Sequence, residues 1–321
     1  MKYKKHISTV GLFGLFTLIF LFFFHSNIDS NSTVIPDNSD KLLVHILDVG
    51  LGDCIVVQCF SSKIAHNLLI DAGIKDTSYN IMSYFKKNAI TNFEFIFLTH
   101  FHSDHYGGIS KIFQNFPYNR FITTYLAKEK LIRKKDIMLQ LQTKKIEPEF
   151  IGPDDIKLGK NYMLGNCQIS VLGPPDFFSG DDFNQTNNSS LVLQLIYKNT
   201  KFLFTGDASK KSEESMIMLY GNRLKSDFLK VGHHGSFTSS SQDFISKVSP
   251  IIAAVSTGKK HRRDVILDRL DKNKINVVST FDSGNITLKS DGTILEIITP
   301  ENYKPKYLYA NLKFENLENA A

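Results

Sequence analysis

Thr99-His100-Phe101-His102-Ser103-Asp104-His105-Tyr106-Gly107-Gly108 is the stretch that decides how the chain is read. It follows Phe93-Glu94-Phe95-Ile96-Phe97-Leu98, whose aromatic and branched residues predict a buried strand. The imidazoles begin where that strand ends. If the backbone stays extended there, His100 and His102 point to the same side. Asp104 and His105 then fall on the turn into the next helix, where Gly107 and Gly108 permit a tight path. Three imidazoles and a carboxylate at a strand end are costly to leave without partners. Borderline-soft divalent cations take this mixture of nitrogen and oxygen donors. The competing reading is a polar loop that happens to contain histidines.

Outward from that stretch, the chain has 321 residues, 42% of them hydrophobic, with 26 phenylalanines to fill a core. The net charge of +6 tilts towards an anionic partner such as nucleic acid, a phosphorylated polymer or anionic lipid. Cys54, Cys59 and Cys167 are too few for a disulfide scaffold. They read as small core residues, with one bridge possible in an oxidising compartment. Lys2, Lys4 and Lys5 precede the apolar run Val10 to Phe24, the pattern of an export signal or a short anchor. The lysines favour leaving that end in the cytoplasm, with the rest of the chain outside the membrane. His25 to Asp40 is rich in Asn, Ser and Asp and reads as a spacer. The expected organisation is a signal or anchor plus spacer over 1–40, a folded domain over 41–300, and a frayed polar tail over 301–321.

Strands and helices alternate through the domain, which predicts an α/β fold. Several strands run into chemistry-bearing turns. Leu68-Leu69-Ile70 leads to Asp71, and Lys201 to Thr205 leads to Gly206-Asp207. Asp227 to Val231 leads to Gly232-His233-His234-Gly235-Ser236. On an extended segment His233 and His234 point to opposite sides, so one faces metal and the other substrate. Ser236, Thr238, Ser239 and Ser240 are candidate caps for a helix starting near Ser241. Ile251 to Val255 leads to Gly258-Lys259-Lys260-His261-Arg262-Arg263, a basic loop suited to phosphate oxygens or simply solvated. Lys128 to Lys145 is a basic helical stretch with a solvated face, or a ridge facing a polyanion.

In this context Thr99 to Gly108 resembles the THxHxDHxGG signature of the metallo-β-lactamase superfamily. Leu47 to Cys54 resembles the LDVGQGDS stretch of its ComEC-type branch, with Leu51 and Cys54 in place of the glutamine and serine. Asn187 to Leu193 resembles NNxSLVL, and Thr205 to Ala208 resembles TGDA. Leu229 to Ser236 resembles the LKVGHHGS block shared with phosphorylcholine esterases. The resemblance implies an αβ/βα four-layer sandwich of two mixed sheets, preceded here by an N-terminal membrane segment. It implies two divalent cations, zinc or manganese. His100 and His102 would hold the first; Asp104, His105 and one of His233 or His234 the second; Asp207 would bridge. Asp48 and Asp71 would hold turns and orient ligand imidazoles. Asn188 and Ser189 stand where many members carry a further histidine, which leaves the first position short of a ligand. The implied activity is metal-dependent hydrolysis outside the cytoplasm, first as a phosphodiesterase or nuclease acting on DNA. Asp104 would orient the attacking water, and the second histidine of the His233–His234 pair would act on the substrate with His261. A cell-envelope phosphorylcholine-type esterase and a non-catalytic DNA-binding module of a competence system are the alternatives.

Overall fold

A computed structural model describes residues 40–178, 182–258, 264–299, 303 and 305–316. The expectations for residues 1–39, and for His261 within the basic loop 259–263, lie outside the described residues. Among the described residues no helix is long and apolar enough to cross a membrane.

Nine strands form the first sheet: β1 (Lys41–Ile46), β2 (Ile55–Ser61), β3 (Ile64–Ile70), β4 (Phe93–Leu98), β5 (Tyr118–Thr124), β6 (Glu149–Ile151), and, later in the chain, Ile286–Ser290, Leu295–Thr299 and Leu312–Asn316. Seven form the second: β7 (Asn161–Leu164), β8 (Cys167–Gly173), β9 (Val192–Tyr197), β10 (Thr200–Phe204), β11 (Phe228–Lys230), β12 (Ile252–Val255) and β13 (Asn276–Ser279). The three late strands of the first sheet are β14, β15 and β16 in chain order. Its spatial order is β16-β15-β14-β1-β2-β3-β4-β5-β6, and that of the second is β13-β12-β11-β10-β9-β8-β7. Both sheets are mixed. β3 to β6 pair in parallel, as do β10 to β13, while β1–β2–β3 and β7 to β10 run antiparallel.

The layers follow from period-two alternation on strands buried on both faces. Leu42, Val44, Ile46, Ile55, Val57 and Cys59 point to one side and meet Cys167, Ile169, Val171, Leu193, Leu195 and Phe204 from the second sheet. Val56, Leu69, Ile96 and Leu98 point to the other side and pack on Ile81, Phe85, Ile109 and Phe113 from helices Ser78–Lys87 and Ile109–Asn115. The second sheet does the same with Leu203, Leu229 and Ala253 against Met216, Phe244, Ile245 and Leu270. Three apolar layers separate four structural ones, so the αβ/βα arrangement is present.

Two expectations need correction. The tail after residue 300 is not frayed throughout, because β16 pairs in parallel with β15, with Leu312 beside Leu295. Alternation in Leu-Lys-Phe-Glu-Asn is enough for an edge strand once an open partner exists. The basic stretch Lys128 to Lys145 is two helices, Ala127–Ile132 and Lys135–Thr143, separated at Lys134, whose φ of −93° and ψ of 79° are not helical. Each turns its own apolar pair inward, Ala127 with Leu131 and Ile137 with Leu141.

Candidate metal centre

The ends of β3, β4, β10 and β11 lie at the same edge of the sandwich, where parallel strands deliver their C-terminal loops. After β4 the chain stays extended through His102 (φ −100°, ψ 150°) before the short helix Ser103–Tyr106. Phe101 is buried and stacks on Tyr106 with ring centroids 4.4 Å apart. That stacking turns Phe101 away and leaves His100 and His102 on the opposite side, Nε2 of the first 3.0 Å from Nδ1 of the second. Gly108 is required by close approach, since a Cβ there would lie 2.3 Å from the Ala72 carbonyl oxygen. Gly52, at φ +150°, would press a Cβ to 2.4 Å from the carbonyl oxygen of Asp104. The loop after β1 is thereby seated directly behind the histidine loop.

Asp207, at the end of β10, is the meeting point. Its Oδ2 lies 3.6 Å from His100 Nε2 and 3.8 Å from His233 Nε2. Its Oδ1 lies 3.3 Å from His105 Nε2 and 3.5 Å from His234 Nε2. Asp104 Oδ2 stands 3.3 Å from His234 Nε2 and 3.9 Å from His105 Nε2. Two donor groups meet at Asp207, one of Asp104, His105, Asp207 and His234, and one of His100, His102 and Asp207; a third cluster, Asp53, Asp71 and His105, lies behind them. Asp207 belongs to the first two.

The pair after β11 is not extended. His233 and His234 both have left-handed backbones, φ 49° and 54°, which bulky residues seldom adopt and which cluster at functional sites. His234 is buried and joins Asp104, His105 and Asp207. His233 is partly exposed, with Nδ1 3.1 Å from Thr238 Oγ1. Ser241, rather than Ser236, Thr238, Ser239 or Ser240, caps helix Gln242–Val248, accepting from the Phe244 amide. The loop between is clamped from both sides. Glu213 accepts from the Ser240 and Ser241 amides, and Arg269 Nη1 donates to the Ser239 and Ser240 carbonyls.

Around the donors sits a ring of supports. Asp71 accepts from the Thr99 amide (2.8 Å) and hydroxyl (2.7 Å), and its Oδ2 meets His105 Nδ1 at 2.7 Å. Its left-handed φ of 58° aims the carboxylate there. Asp48 does not reach the site; it is exposed, and its Oδ1 accepts from the Gly50 amide. Asn188 Oδ1 accepts from the Ser212 amide and Ser190 Oγ from the Asp207 amide, so this segment fixes the Asp207 turn. Asp53 and Lys230 were invisible as a pair in the sequence. Both are buried, Lys230 Nζ donates to Asp53 Oδ2 at 2.9 Å and to the Val231 carbonyl at 3.0 Å, and Asp53 Oδ1 lies 3.5 Å from His234 Nδ1. The signal available was a lysine inside the apolar strand Phe228-Leu229-Lys230-Val231, which demands a buried counter-charge.

The electrostatics separate the imidazoles. Burial holds His100 well below the usual histidine range, reinforced by the charge of His105. Burial also pulls on His105 and His234, but Asp207 outweighs it, with Asp71 for the first and with Asp104 and Asp53 for the second. His105 is raised and His234 reaches about 9. Burial would lift Asp104, yet its bond to His234 brings it to about 2. Several buried polar atoms find no hydrogen-bond partner among the described residues, including Asp207 Oδ1 and His234 Nδ1. Imidazole nitrogens facing one another, and an orphaned carboxylate oxygen among them, are the donor set that divalent cations satisfy. The residues fit such ions.

The profile of the metallo-beta-lactamase superfamily matches residues 47–159. The chain carries a metallo-β-lactamase superfamily domain. ComE operon protein 3 of Bacillus subtilis (strain 168) is 26% identical over 306 residues, 88% of this chain and 36% of the relative. Competence protein ComA of Neisseria gonorrhoeae is 26% identical over 255 residues, covering 78% and 32%. The chain thus spans about a third of the length of the curated relatives it matches. These competence relatives support the ComEC-type branch. The solved metallo-beta-lactamase fold protein YhfI from Bacillus subtilis superposes with a TM-score of 0.51 at 11% identity, covering 78% of this chain and all of that one. That likeness is one of fold. A superfamily hydrolase fold with a His/Asp cluster at its edge points to a metal-dependent hydrolase.

One support titrates in an accessible range. Burial raises the Glu213 carboxyl to about 7, against the pull of the Ser240 and Ser241 amides and Arg269. A carboxyl raised in the folded state holds its proton longer than in the unfolded chain. Its contribution to stability is therefore full below pH 4.5 and falls as pH rises through about 7. Glu213→Gln should remove that slope. Denaturant midpoints of the metal-free protein, compared with wild type from pH 4.5 to 7.5, read the difference, and parallel curves would reject it.

Proposed function

We propose that the domain over residues 41–300 is a metal-dependent phosphodiesterase acting on DNA outside the cytoplasm. The observation that carries this reading is the sharing of Asp207 between two donor groups, with Asp104 beside one of them. His100 and His102 would hold one cation, and Asp104, His105 and His234 the other, with Asp207 common to both. Zinc and manganese both suit these donors. Bound, such ions would supply Lewis acidity toward phosphoryl oxygens and lower the pKa of water to about 7.

The protein's own part is orientation and proton movement. Asp71 fixes His105 through a hydrogen bond to Nδ1, and the Asp53 carboxylate stands 3.5 Å from His234 Nδ1, so that both Nε2 atoms point at Asp207. Asp104 retains some exposure and is held ionised, which suits a carboxylate that aligns an attacking water. His233, outside the buried set and tethered by Thr238, is the imidazole on the substrate side, in position to donate a proton to a leaving oxygen. His261 and the cations around it would meet the phosphate. The competence relatives favour DNA as the substrate, and the basic N-terminal sequence favours a membrane-anchored or secreted domain.

The test is elemental analysis of the purified protein coupled to turnover on DNA, RNA and phosphocholine esters, with Asp104→Ala as control. Bound divalent metal and DNA cleavage are expected, reduced by about 10²–10⁴-fold in the variant without loss of fold. Undiminished turnover in Asp104→Ala rejects the assignment. Cleavage confined to phosphocholine esters would favour the esterase, and metal-free DNA binding without cleavage the binding module. Neutralising Lys259, Lys260, Arg262 and Arg263 should also flatten the salt dependence of duplex DNA affinity, by up to about 3.6 in log–log slope. An unchanged slope makes that loop ordinary solvated surface.

A further inference from the structure

Of the three pairings open to Cys54, Cys59 and Cys167, the fold brings together one. Cys54 precedes β2 and packs in the helix-side layer with Val56 and Leu69. Cys59, on β2, and Cys167, the first residue of β8, both face the layer between the sheets and are fully buried there. The juxtaposition has a structural cause. Cys59 lies opposite His66 on β3. The β7–β8 turn packs on that same histidine, since a Cβ on Gly165 would lie 2.7 Å from its ring. Cys167 follows two residues later, which brings its thiol beside the Cys59 sulfur, and the Cys59 sulfur also meets the backbone of Asn166. One thiol belongs to the first sheet and one to the second.

We infer that Cys59 and Cys167 are a disulfide site that ties the two sheets of the sandwich together. The oxidant is a second disulfide, small-molecule or protein-borne, of the kind met by a chain exported during folding. One protein thiolate attacks it and releases one thiol. The other protein thiolate then displaces the mixed disulfide and releases the second. Two protein thiols become one S–S bond, one external disulfide becomes two thiols, and no other electron donor or acceptor is needed. The bond would close a long loop, from residue 59 to residue 167, that spans β3 to β7. Restricting so long a loop in the unfolded chain is where a cross-link has its largest effect. Nothing in this step involves the His/Asp centre, so the inference stands apart from the hydrolase reading.

The experiment refolds the full-length chain with oxidised glutathione, which gives the buried thiols access while the chain is open. A parallel sample is refolded with dithiothreitol. Each is then denatured, alkylated and weighed by intact and peptide mass spectrometry. The expected oxidised product carries one alkylatable thiol, assigned to Cys54, and a linked pair of peptides containing Cys59 and Cys167. Its melting temperature should exceed that of the reduced protein by about 5–10 °C and fall back on reduction. Cys54→Ser should form the link as wild type does. Cys167→Ala, which removes the partner without adding bulk, should lose both the link and the redox-dependent shift. Three alkylatable thiols after oxidative refolding, a link through Cys54, or identical melting with and without dithiothreitol would each overturn the inference.

Discussion

Asp207→Asn should strip the protein of divalent metal and lower hydrolysis by about 10³-fold or more, with the fold retained. The argument rests on position. Asp207 is the one side chain common to both donor groups, with one carboxylate oxygen turned to His100 and the other to His105 and His234. Removing its charge takes an anionic oxygen from each group at once, whereas loss of His102 or Asp104 touches only one. Stabilisation of transition-state charge by bound metal is worth several kcal/mol, and each 1.36 kcal/mol is about tenfold in rate. The amide keeps the volume, and the Asp207 backbone remains held by Ser190 Oγ. Circular dichroism should therefore match wild type. Metal per chain, measured after dialysis, is the primary readout. A variant that keeps its full metal content would sink the shared-carboxylate reading, whatever happened to turnover.

Much of this centre was legible because its donors come in short runs at strand ends. His100, His102, Asp104 and His105 lie within six residues, and strand alternation placed the first two on one side. Asp207, His105 and His234, remote in sequence, converge because β4, β10 and β11 end at one edge. That convergence was expected only through the superfamily resemblance, since no local pattern reports sheet order. Local pattern misled at His233 and His234. Alternation assumes extended backbone, and both residues instead adopt left-handed φ, held by the His233 amide bonding to the Gly206 carbonyl and by the clamp of Glu213 and Arg269 on the following loop. Edge pairing likewise recovered Leu312–Asn316 from a stretch whose composition alone suggested fraying. Cys59 and Cys167 show the same limit, because three spacings cannot tell which sulfurs share a layer.

Lys230→Met should cost the fold about 3–5 kcal/mol. Lys230 has no exposed surface, and its ammonium is satisfied by both oxygens of Asp53 and by the Val231 carbonyl. Methionine fills much of the same space but leaves the Asp53 carboxylate buried beside His234 without its cation. The double variant Asp53→Ala with Lys230→Met removes the stranded charge, so it should be less destabilised than Lys230→Met alone. Urea midpoints for the two single variants and the double one measure that coupling. Metal affinity separates packing from positioning. The double variant recovers the fold but still lacks the carboxylate facing His234 Nδ1, so its affinity should stay about 10–100-fold below wild type. Full recovery of both would reduce Asp53 to a counter-ion for Lys230. Recovery of stability alone would make the pair the device that turns His234 towards Asp207.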